Sequence, residues 1–135
     1  TIAYPSYQDT PELMNQWFDS FKRLSNPNNQ DEALVAYCQL HLTFVKIHPF
    51  ADGNGRVARL VANIPILRRG LPPIIIAKEN RQDYIMVLER YALRDNKGIV
   101  LNHPLDDFTA FIQNEWQKTL DIVSEIRQLQ ATRGL

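Results

Sequence analysis

The residues best suited to chemistry stand together in the stretch HPFADGNGRVAR, which runs from residue 48 to residue 59. His48 can accept a proton, and Asp52 can bind a cation. Gly53 and Gly55 flank an asparagine directly before a segment with helical apolar periodicity. Glycine lets the backbone approach a ligand closely, and a helix N-terminus offers unpaired N–H groups and a partial positive charge. The stretch therefore predicts a site for an anion such as phosphate.

Three charged residue types extend this anion site into a candidate reaction centre. Arg56 and Arg59 lie on one face of the expected helix, where two guanidinium groups can hold a polyphosphate. A carboxylate beside bound phosphate is repelled unless a cation lies between them, so Asp52 predicts Mg²⁺. His48 could then take the proton of an incoming hydroxyl group. The pattern is neither a P-loop, since GxxxxGK[ST] is absent, nor a dinucleotide fingerprint, since the third glycine is missing.

Five helices are expected to position these residues. Apolar periodicity and capping residues predict the first four over residues 10–24, 31–47, from within GNGR to Gly70, and 81–93. The fifth is predicted over 104–129, with its apolar positions facing the core along the whole length. Pro49 should end the second helix at His48, because the residue before a proline disfavours helical geometry. No segment shows sustained strand alternation, so the predicted fold class is all-α.

Composition narrows the class of protein. The 135 residues predict one domain, and 44% hydrophobic with 22% charged residues is ordinary for a packed core. Fifteen basic and fifteen acidic side chains cancel, which argues against nucleic acid as a partner. The single cysteine, Cys38, excludes an internal disulfide and is expected to be buried. No apolar run is long enough to span a bilayer and no signal-peptide pattern opens the chain, so a cytoplasmic location without membrane contact is expected. The first residue is Thr1, which suggests a piece of a longer protein.

The stretch from His48 to Arg59 resembles the motif HPFx[DE]GNGRxxR of the Fic (filamentation-induced-by-cAMP) family at every fixed position. Flanking stretches such as HLTFVKIHPF and RQDYIMVL are also similar to that family, and the resemblance covers about residues 5–125. It implies an all-α helical bundle, with the active-site loop between two core helices, as a single Fic domain over 1–135. Most members transfer AMP from ATP to a hydroxyl side chain of a target protein and release pyrophosphate.

The resemblance also implies a role for each motif residue. His48 would deprotonate the target's Ser, Thr or Tyr hydroxyl, and Asp52 would hold Mg²⁺. Arg56 and Arg59 would bind the phosphates of ATP. The anion hole would be formed by Gly53, Asn54 and Gly55, and Phe50 would pack inward to anchor the loop.

Gly55 favours nucleotidyl transfer, because the Doc-type branch, which phosphorylates its target, carries Lys at this position. Three alternatives stay open. The donor could be UTP, GTP or CDP-choline; the enzyme could remove AMP; or the chain could be a non-catalytic module that binds a protein or nucleotide. The intact His48 and Arg56 argue against the last.

Two features of the family are not visible in this sequence. Fic proteins usually carry a β-hairpin flap before the helix that starts here near Pro11, and TIAYPSYQD resembles only the tail of that region, so the flap is expected upstream of Thr1. Many members carry an inhibitory helix with the motif [ST]xxxE[GN], whose glutamate contacts the second motif arginine, here Arg59. No match occurs in the chain, so an inhibitory helix elsewhere or an antitoxin-like protein is a possible partner.

The adenine pocket is the least specific part of the prediction. Asn63 and Tyr84 are candidates by position, one turn after Arg59 and on the next helix. The alternatives are an exposed polar residue for Asn63 and a packed aromatic for Tyr84. His41 shares a face with apolar neighbours and is expected to be a hydrogen-bonded core histidine, or else to brace the loop after His48.

Overall fold

The computed structural model describes residues 4–134 and confirms the all-α prediction. Its helices are α1 (Thr10–Leu24), α2 (Gln30–Ile47), α3 (Asn54–Arg68), α4 (Arg81–Leu88) and α5 (Asp106–Thr132). A single 3₁₀ turn, Lys78–Asn80, leads into α4. Residues 4–134 contain no β-strand, only one antiparallel bridge between Leu93 and Leu101. The first three residues of TIAYPSYQD lie outside the described residues.

Helix α2 is the central element, and it packs against α1, α3 and α5. It starts where the Asn29 side chain accepts a hydrogen bond from the Glu32 N–H at 2.8 Å, the usual arrangement of an N-cap. Most of its residues from Ala33 to Ile47 are buried, so it contacts neighbours on nearly all sides. Trp17 of α1 donates its indole N–H to the Leu40 carbonyl at 3.0 Å. The functional stretch therefore follows the most buried helix of the molecule.

Helix α3 ends at a left-handed glycine, as the sequence predicts. Gly70 has φ 76°. Its N–H donates to the Leu67 carbonyl at 2.9 Å, and the Leu71 N–H donates to the Ile66 carbonyl at 3.1 Å. This pair of bonds is a Schellman motif, which satisfies carbonyls that the helix end leaves open. The chain reverses here and returns along α3.

The fourth predicted helix is too long: α4 ends at Leu88, not at residue 93. Tyr91 is buried and donates its hydroxyl to the Pro104 carbonyl at 2.9 Å. The Asn102 N–H donates to the Ala92 carbonyl at 2.9 Å, so the chain folds back on itself instead of continuing as a helix. Periodicity alone could not show this, because apolar residues that pack in a turn can share helical spacing.

The prediction that α5 faces the core along its whole length is wrong. Its buried side chains are Phe108, Ile112, Glu115 and Trp116, all in the first half. Ile126 and Leu129 are 50% and 59% exposed. A helix of 27 residues is about 40 Å long at 1.5 Å per residue, longer than the small core that it covers.

None of the helices in residues 4–134 combines the length and the hydropathy that a membrane span requires.

Candidate active site

His48 caps the C-terminus of α2 in a left-handed conformation, with φ 55° and ψ 59°. It is the one non-glycine residue with positive φ in the described part of the chain. Pro49 disfavours the right-handed helical region for the residue before it, so the helix had to end here. The left-handed geometry was not predicted, and the half-buried His48 lines the same cavity as the loop that follows it. Strained backbone of this kind is concentrated at functional sites.

The loop after His48 is closed by the side chain of Asn54. Its Oδ1 accepts from the Phe50 N–H at 3.0 Å, and its Nδ2 donates to the Phe50 carbonyl at 2.8 Å. Gly53, with φ 80°, is the N-cap of α3, and its N–H donates to Asp52 Oδ1 at 2.8 Å. The buried Asn54 side chain therefore shapes the loop, while any contact of residues 53–55 with an anion would be made by backbone N–H groups.

The prediction that the Phe50 ring packs inward is wrong. The side chain is 51% exposed, and its ring lies 6.3 Å from the Phe44 ring at a tilted angle. The loop is anchored by the Phe50 backbone instead, because both of its polar groups bond to the Asn54 amide. The motif phenylalanine thus leaves an aromatic surface beside the site.

The first turns of α3 present the two arginines. Arg56 is exposed and Arg59 is half-buried. A Cβ atom added to Gly55 would lie 3.3 Å from Arg59 Nη1 and 3.8 Å from the Tyr84 hydroxyl. Gly55 therefore allows the Arg59 guanidinium to lie this close to the helix backbone, and a methyl group there would be a tight contact.

These elements enclose an open cavity of about 610 Å³, within the range of ligand sites. It brings together most of the predicted residues: His48, Asp52, Gly53, Asn54, Gly55, Arg56, Arg59 and Tyr84. Phe50 and Asn63 are not among its lining residues. Four cationic side chains (Arg56, Arg59, Lys78 and Arg81) line it against the single carboxylate of Asp52. The cavity therefore favours an anionic ligand, although the net charge of the chain is zero.

Asn63 does not belong to this cavity, which corrects its assignment to an adenine pocket. Its Nδ2 donates to the Ile74 carbonyl at 3.0 Å, and its Oδ1 accepts from the Ile74 N–H at 2.8 Å. Nδ2 also lies 3.1 Å from the Arg59 carbonyl. Both ends of the amide are occupied by backbone, so Asn63 fixes the extended segment 71–77 against α3.

Tyr84 is buried, which agrees with its predicted role as a packed aromatic residue, and it also lines the cavity. Its place in an adenine pocket stays a prediction. Its hydroxyl is 2.7 Å from His41 Nε2 and 3.5 Å from Arg59 Nη1. Burial raises the pKa of Tyr84 above its ordinary value, and the nearby Arg59 charge opposes this. His41 is fully buried and hydrogen-bonded, as expected for a core histidine, and it bonds to tyrosines, not to the loop. Burial, with the charge of Arg59, lowers its pKa to about 3.

Several lining residues were not found by sequence reasoning. Tyr4 stacks on His48, with ring centroids 3.8 Å apart and an interplanar angle of 12°. The cavity is also lined by three large aliphatic side chains, Ile76, Ile85 and Leu88, which are called the apolar wall below. The burial of Ile74, Ile75 and Ile76 alternates with the period of an extended segment, but three identical residues in a row give no sequence signal for which of them faces inward. Nothing in the sequence around Tyr4 indicated that it lines the cavity.

The donor set around Asp52 fits Mg²⁺ only as an ion that arrives with phosphate. In residues 4–134 no group of three or more His, Cys, Asp and Glu side chains could hold a metal ion. Mg²⁺ commonly uses one or two carboxylates and takes its other ligands from substrate phosphates and water. The exposed Asp52 carboxylate at the cavity wall matches that requirement.

The segment that builds this cavity has a recognised sequence pattern. Residues 1–66 match the Fic/DOC family. The matched range holds α1, α2 and most of α3, and with them His48, the glycine loop and Arg59. The second half of the chain, which supplies Tyr84 and the apolar wall, lies outside the matched range.

Relatives and a solved structure extend the likeness to Fic proteins beyond residue 66. The chain is 36% identical over 111 residues to the protein adenylyltransferase Fic of Drosophila ananassae, covering 82% of this chain and 20% of that protein. It is 40% identical over 89 residues to the same enzyme of Drosophila mojavensis, covering 65% of this chain and 16% of that protein. A Fic domain containing signaling protein from Bacteroides thetaiotaomicron superposes with a TM-score of 0.67 at 29% identity, covering 86% of this chain and 44% of that one. The chain therefore spans about a fifth or less of the length of these curated relatives.

Proposed function

We propose that this chain is a Fic-type domain that transfers AMP from ATP to a hydroxyl side chain of a target protein. The observation that carries the proposal is the single cavity that His48, Asp52, the 53–55 loop and both arginines line together. The curated relatives named protein adenylyltransferase support it. In this reaction the target oxygen forms a bond to the α-phosphorus, the bond between that phosphorus and the β-phosphate oxygen breaks, and pyrophosphate leaves.

His48 would act as the general base. Its Nδ1 has no hydrogen-bond partner among the described residues and is buried. Because a target hydroxyl cannot reach this buried atom, its proton would go to Nε2. The left-handed backbone fixes where the imidazole stands relative to the glycine loop. Tyr4 covers one face of the ring, so the acceptor hydroxyl would have to approach Nε2 at the edge.

The N-terminus of α3 and the two arginines would hold the triphosphate. The first N–H groups of the helix have no intrahelical partners and point out of its end. Arg56 and Arg59 add two positive charges on the same side. Asp52 would hold Mg²⁺, which when bound neutralises phosphate charge. Positioning and charge neutralisation are the main contributions to phosphoryl-type transfers.

The nucleobase would lie against the apolar wall of Ile76, Ile85 and Leu88, which replaces Asn63 as the candidate base pocket. These aliphatic side chains offer a flat surface for a ring but few groups that read its edge. Contacts with the nucleobase would therefore add to the affinity for the nucleotide more than they would select one nucleobase over another. The donor nucleotide is established by the experiment below. The target protein and an inhibitory helix or antitoxin-like partner would meet the cavity from its open side.

The experiment that tests the proposal compares donors. The domain is incubated with Mg²⁺ and with ATP labelled either in the α-phosphate or in the γ-phosphate, with and without cell lysate. We expect protein-bound label from the α-labelled donor alone. Label from γ-labelled ATP would instead show a kinase. Preferential transfer from α-labelled UTP or GTP would move the assignment to another donor.

A further inference from the structure

A chain of four polar side chains connects the core of the molecule to the phosphate side of the cavity. His41 Nδ1 lies 3.1 Å from the Tyr37 hydroxyl, and His41 Nε2 lies 2.7 Å from the Tyr84 hydroxyl. Tyr84 in turn is 3.5 Å from Arg59 Nη1. Tyr37 and His41 are both 0% exposed, so water is excluded from the inner part of this chain.

The donors and acceptors along the chain favour one direction. A guanidinium group donates and never accepts, so the Tyr84 oxygen must accept from Arg59. The one hydroxyl hydrogen of Tyr84 cannot go to Arg59, and of its two recorded partners His41 Nε2 is the one that can accept it. A ring nitrogen that accepts carries no hydrogen, which leaves the hydrogen on Nδ1 to be donated to the Tyr37 oxygen.

The electrostatic surroundings agree with this direction. Burial and the charge of Arg59 both favour the uncharged form of His41, so its imidazole has one hydrogen to place, not two. The guanidinium carbon of Arg59 also lies 5.7 Å from the centre of the Tyr84 ring, within the range of a cation–π contact. Gly55, which has no side chain, leaves room beside both Arg59 Nη1 and the Tyr84 hydroxyl. The Arg59 guanidinium, the Tyr84 hydroxyl and the first turn of α3 thus meet at one point.

We propose that Tyr84 is a positioning residue that orients Arg59 towards the phosphates of the nucleotide, and that His41, held as the Nδ1–H tautomer, sets the direction of the Tyr84 hydroxyl. This inference rests on the proposed function and deepens it, because it names how one phosphate-binding arginine is held. Neither tyrosine nor histidine touches the reacting atoms.

The same hydrogen bonds would be seen if Tyr84 only stabilised the fold. The test therefore needs a second buried tyrosine as a control for the loss of a hydroxyl group. Tyr91 is also buried and donates its hydroxyl, to the Pro104 carbonyl at 2.9 Å, but it does not line the cavity. Tyr84→Phe and Tyr91→Phe therefore remove the same group from similar surroundings. We expect Tyr84→Phe to weaken Mg-ATP binding, measured by calorimetry, about tenfold, and to raise KM more than it lowers kcat. Tyr91→Phe should leave both quantities unchanged.

The tautomer of His41 gives a second readout that needs no activity. The chain has three histidines, so ¹⁵N-labelled imidazole signals can be assigned by comparison with His48→Ala and His103→Ala. We expect Nδ1 of His41 to be protonated and Nε2 unprotonated. A protonated Nε2 would overturn the proposed direction, and equal nucleotide affinities for Tyr84→Phe and Tyr91→Phe would overturn the positioning role.

Tyr37→Phe tests whether the tautomer of His41 and the affinity for nucleotide are linked. It removes the acceptor of His41 Nδ1 without touching the cavity, so we expect the hydrogen to move towards Nε2 and nucleotide affinity to fall in the same direction as in Tyr84→Phe. An unchanged tautomer in this folded variant would contradict the chain. If the wild type binds Mg-ATP and shows these effects but transfers no label to protein, the proposed function fails while this inference stands.

Discussion

Two residues of the loop between α2 and α3 have left-handed backbone, His48 at φ 55° and Gly53 at φ 80°. This conformation costs a non-glycine residue about 1–2 kcal/mol, so the His48 backbone must be held by its surroundings. The His48 N–H donates to the Phe44 carbonyl at 3.1 Å, and the Asn54 amide ties Phe50 to the start of α3. The position of the candidate base is therefore set by the backbone as much as by its side chain.

Gly55 gives a prediction at the residue scale. It is not a positive-φ glycine but lies within α3, so Gly55→Ala should raise the free energy of unfolding by about 0.5–1 kcal/mol. The new Cβ would meet Arg59 Nη1 at 3.3 Å, a tight contact that shifts the guanidinium away from Gly55 and the Tyr84 hydroxyl, so Mg-ATP binding should weaken severalfold. Chemical denaturation and calorimetry measure the two effects.

Gly98→Ala is the matched control, because its Cβ would make only an ordinary contact of 3.6 Å with Gln16. It should leave nucleotide affinity unchanged. A Gly55→Ala variant that binds Mg-ATP as tightly as the wild type would contradict the close approach of Arg59 to this turn.

At the scale of elements, the extended segment 71–77 is held from two sides. Asn63 of α3 pairs with both backbone groups of Ile74, and Trp116 of α5 donates its indole N–H to the Pro72 carbonyl at 2.9 Å. Just after this segment, Glu115 accepts a hydrogen bond from Asn80 at 2.6 Å, which fixes the entry to α4. Helices α3 and α5 therefore place Ile76 through hydrogen bonds to a segment that has no regular structure, while Ile85 and Leu88 are carried by α4.

Asn63→Ala tests this assignment. Loss of both bonds to Ile74 leaves partly buried backbone groups without partners, so we expect the free energy of unfolding to fall by about 1–3 kcal/mol. The ratio of the affinities for ATP and GTP should be the same as in the wild type, because Asn63 does not line the cavity. Ile85→Ala provides the opposite pattern, with a small effect on stability and weaker nucleotide binding. A changed base preference in Asn63→Ala, at unchanged stability, would restore Asn63 to the adenine pocket.

At the scale of the whole molecule, one hydrophobic cluster joins residues of all five helices. Trp17 and Trp116 report on opposite parts of it, since one bonds to α2 and the other to the 71–77 segment. A chain of this size with one core should unfold in a single transition. In Trp17→Phe and in Trp116→Phe, the fluorescence of the remaining tryptophan and far-ultraviolet circular dichroism should therefore give the same urea midpoint. Separate midpoints within one variant would show two independent units.

Much of this arrangement could be predicted from local signals. Pro49 marked the end of α2, Gly70 marked the end of α3, and the motif placed its charged residues before and inside one helix. Phe50 and Asn63 were misassigned because their environment depends on contacts that local sequence does not encode. Phe50 is held through its backbone, and the Asn63 amide pairs with Ile74, eleven residues further along.

The same limit applies to the ends of α4 and α5. Tyr91 has the spacing of a helical core residue, but it lies after the end of α4 and bonds to Pro104. Leu129 also has that spacing, but it is exposed because α5 extends past the core. Periodicity reports which side chains are apolar on one face, not how far the neighbouring elements extend. The Tyr37–His41–Tyr84–Arg59 chain was likewise not predictable, because it joins three helices through side-chain geometry.

The most direct test of the central proposal is the rate at which α-phosphate label passes from ATP to protein in the wild type, His48→Ala and His103→Ala. His103 is exposed and does not line the cavity, so its variant controls for the loss of a histidine. We predict that His48→Ala slows transfer by about 10²–10⁴-fold, the usual contribution of a general base, while Mg-ATP affinity and the activity of His103→Ala stay at wild-type values. Equal rates of labelling by the wild type and His48→Ala would contradict it.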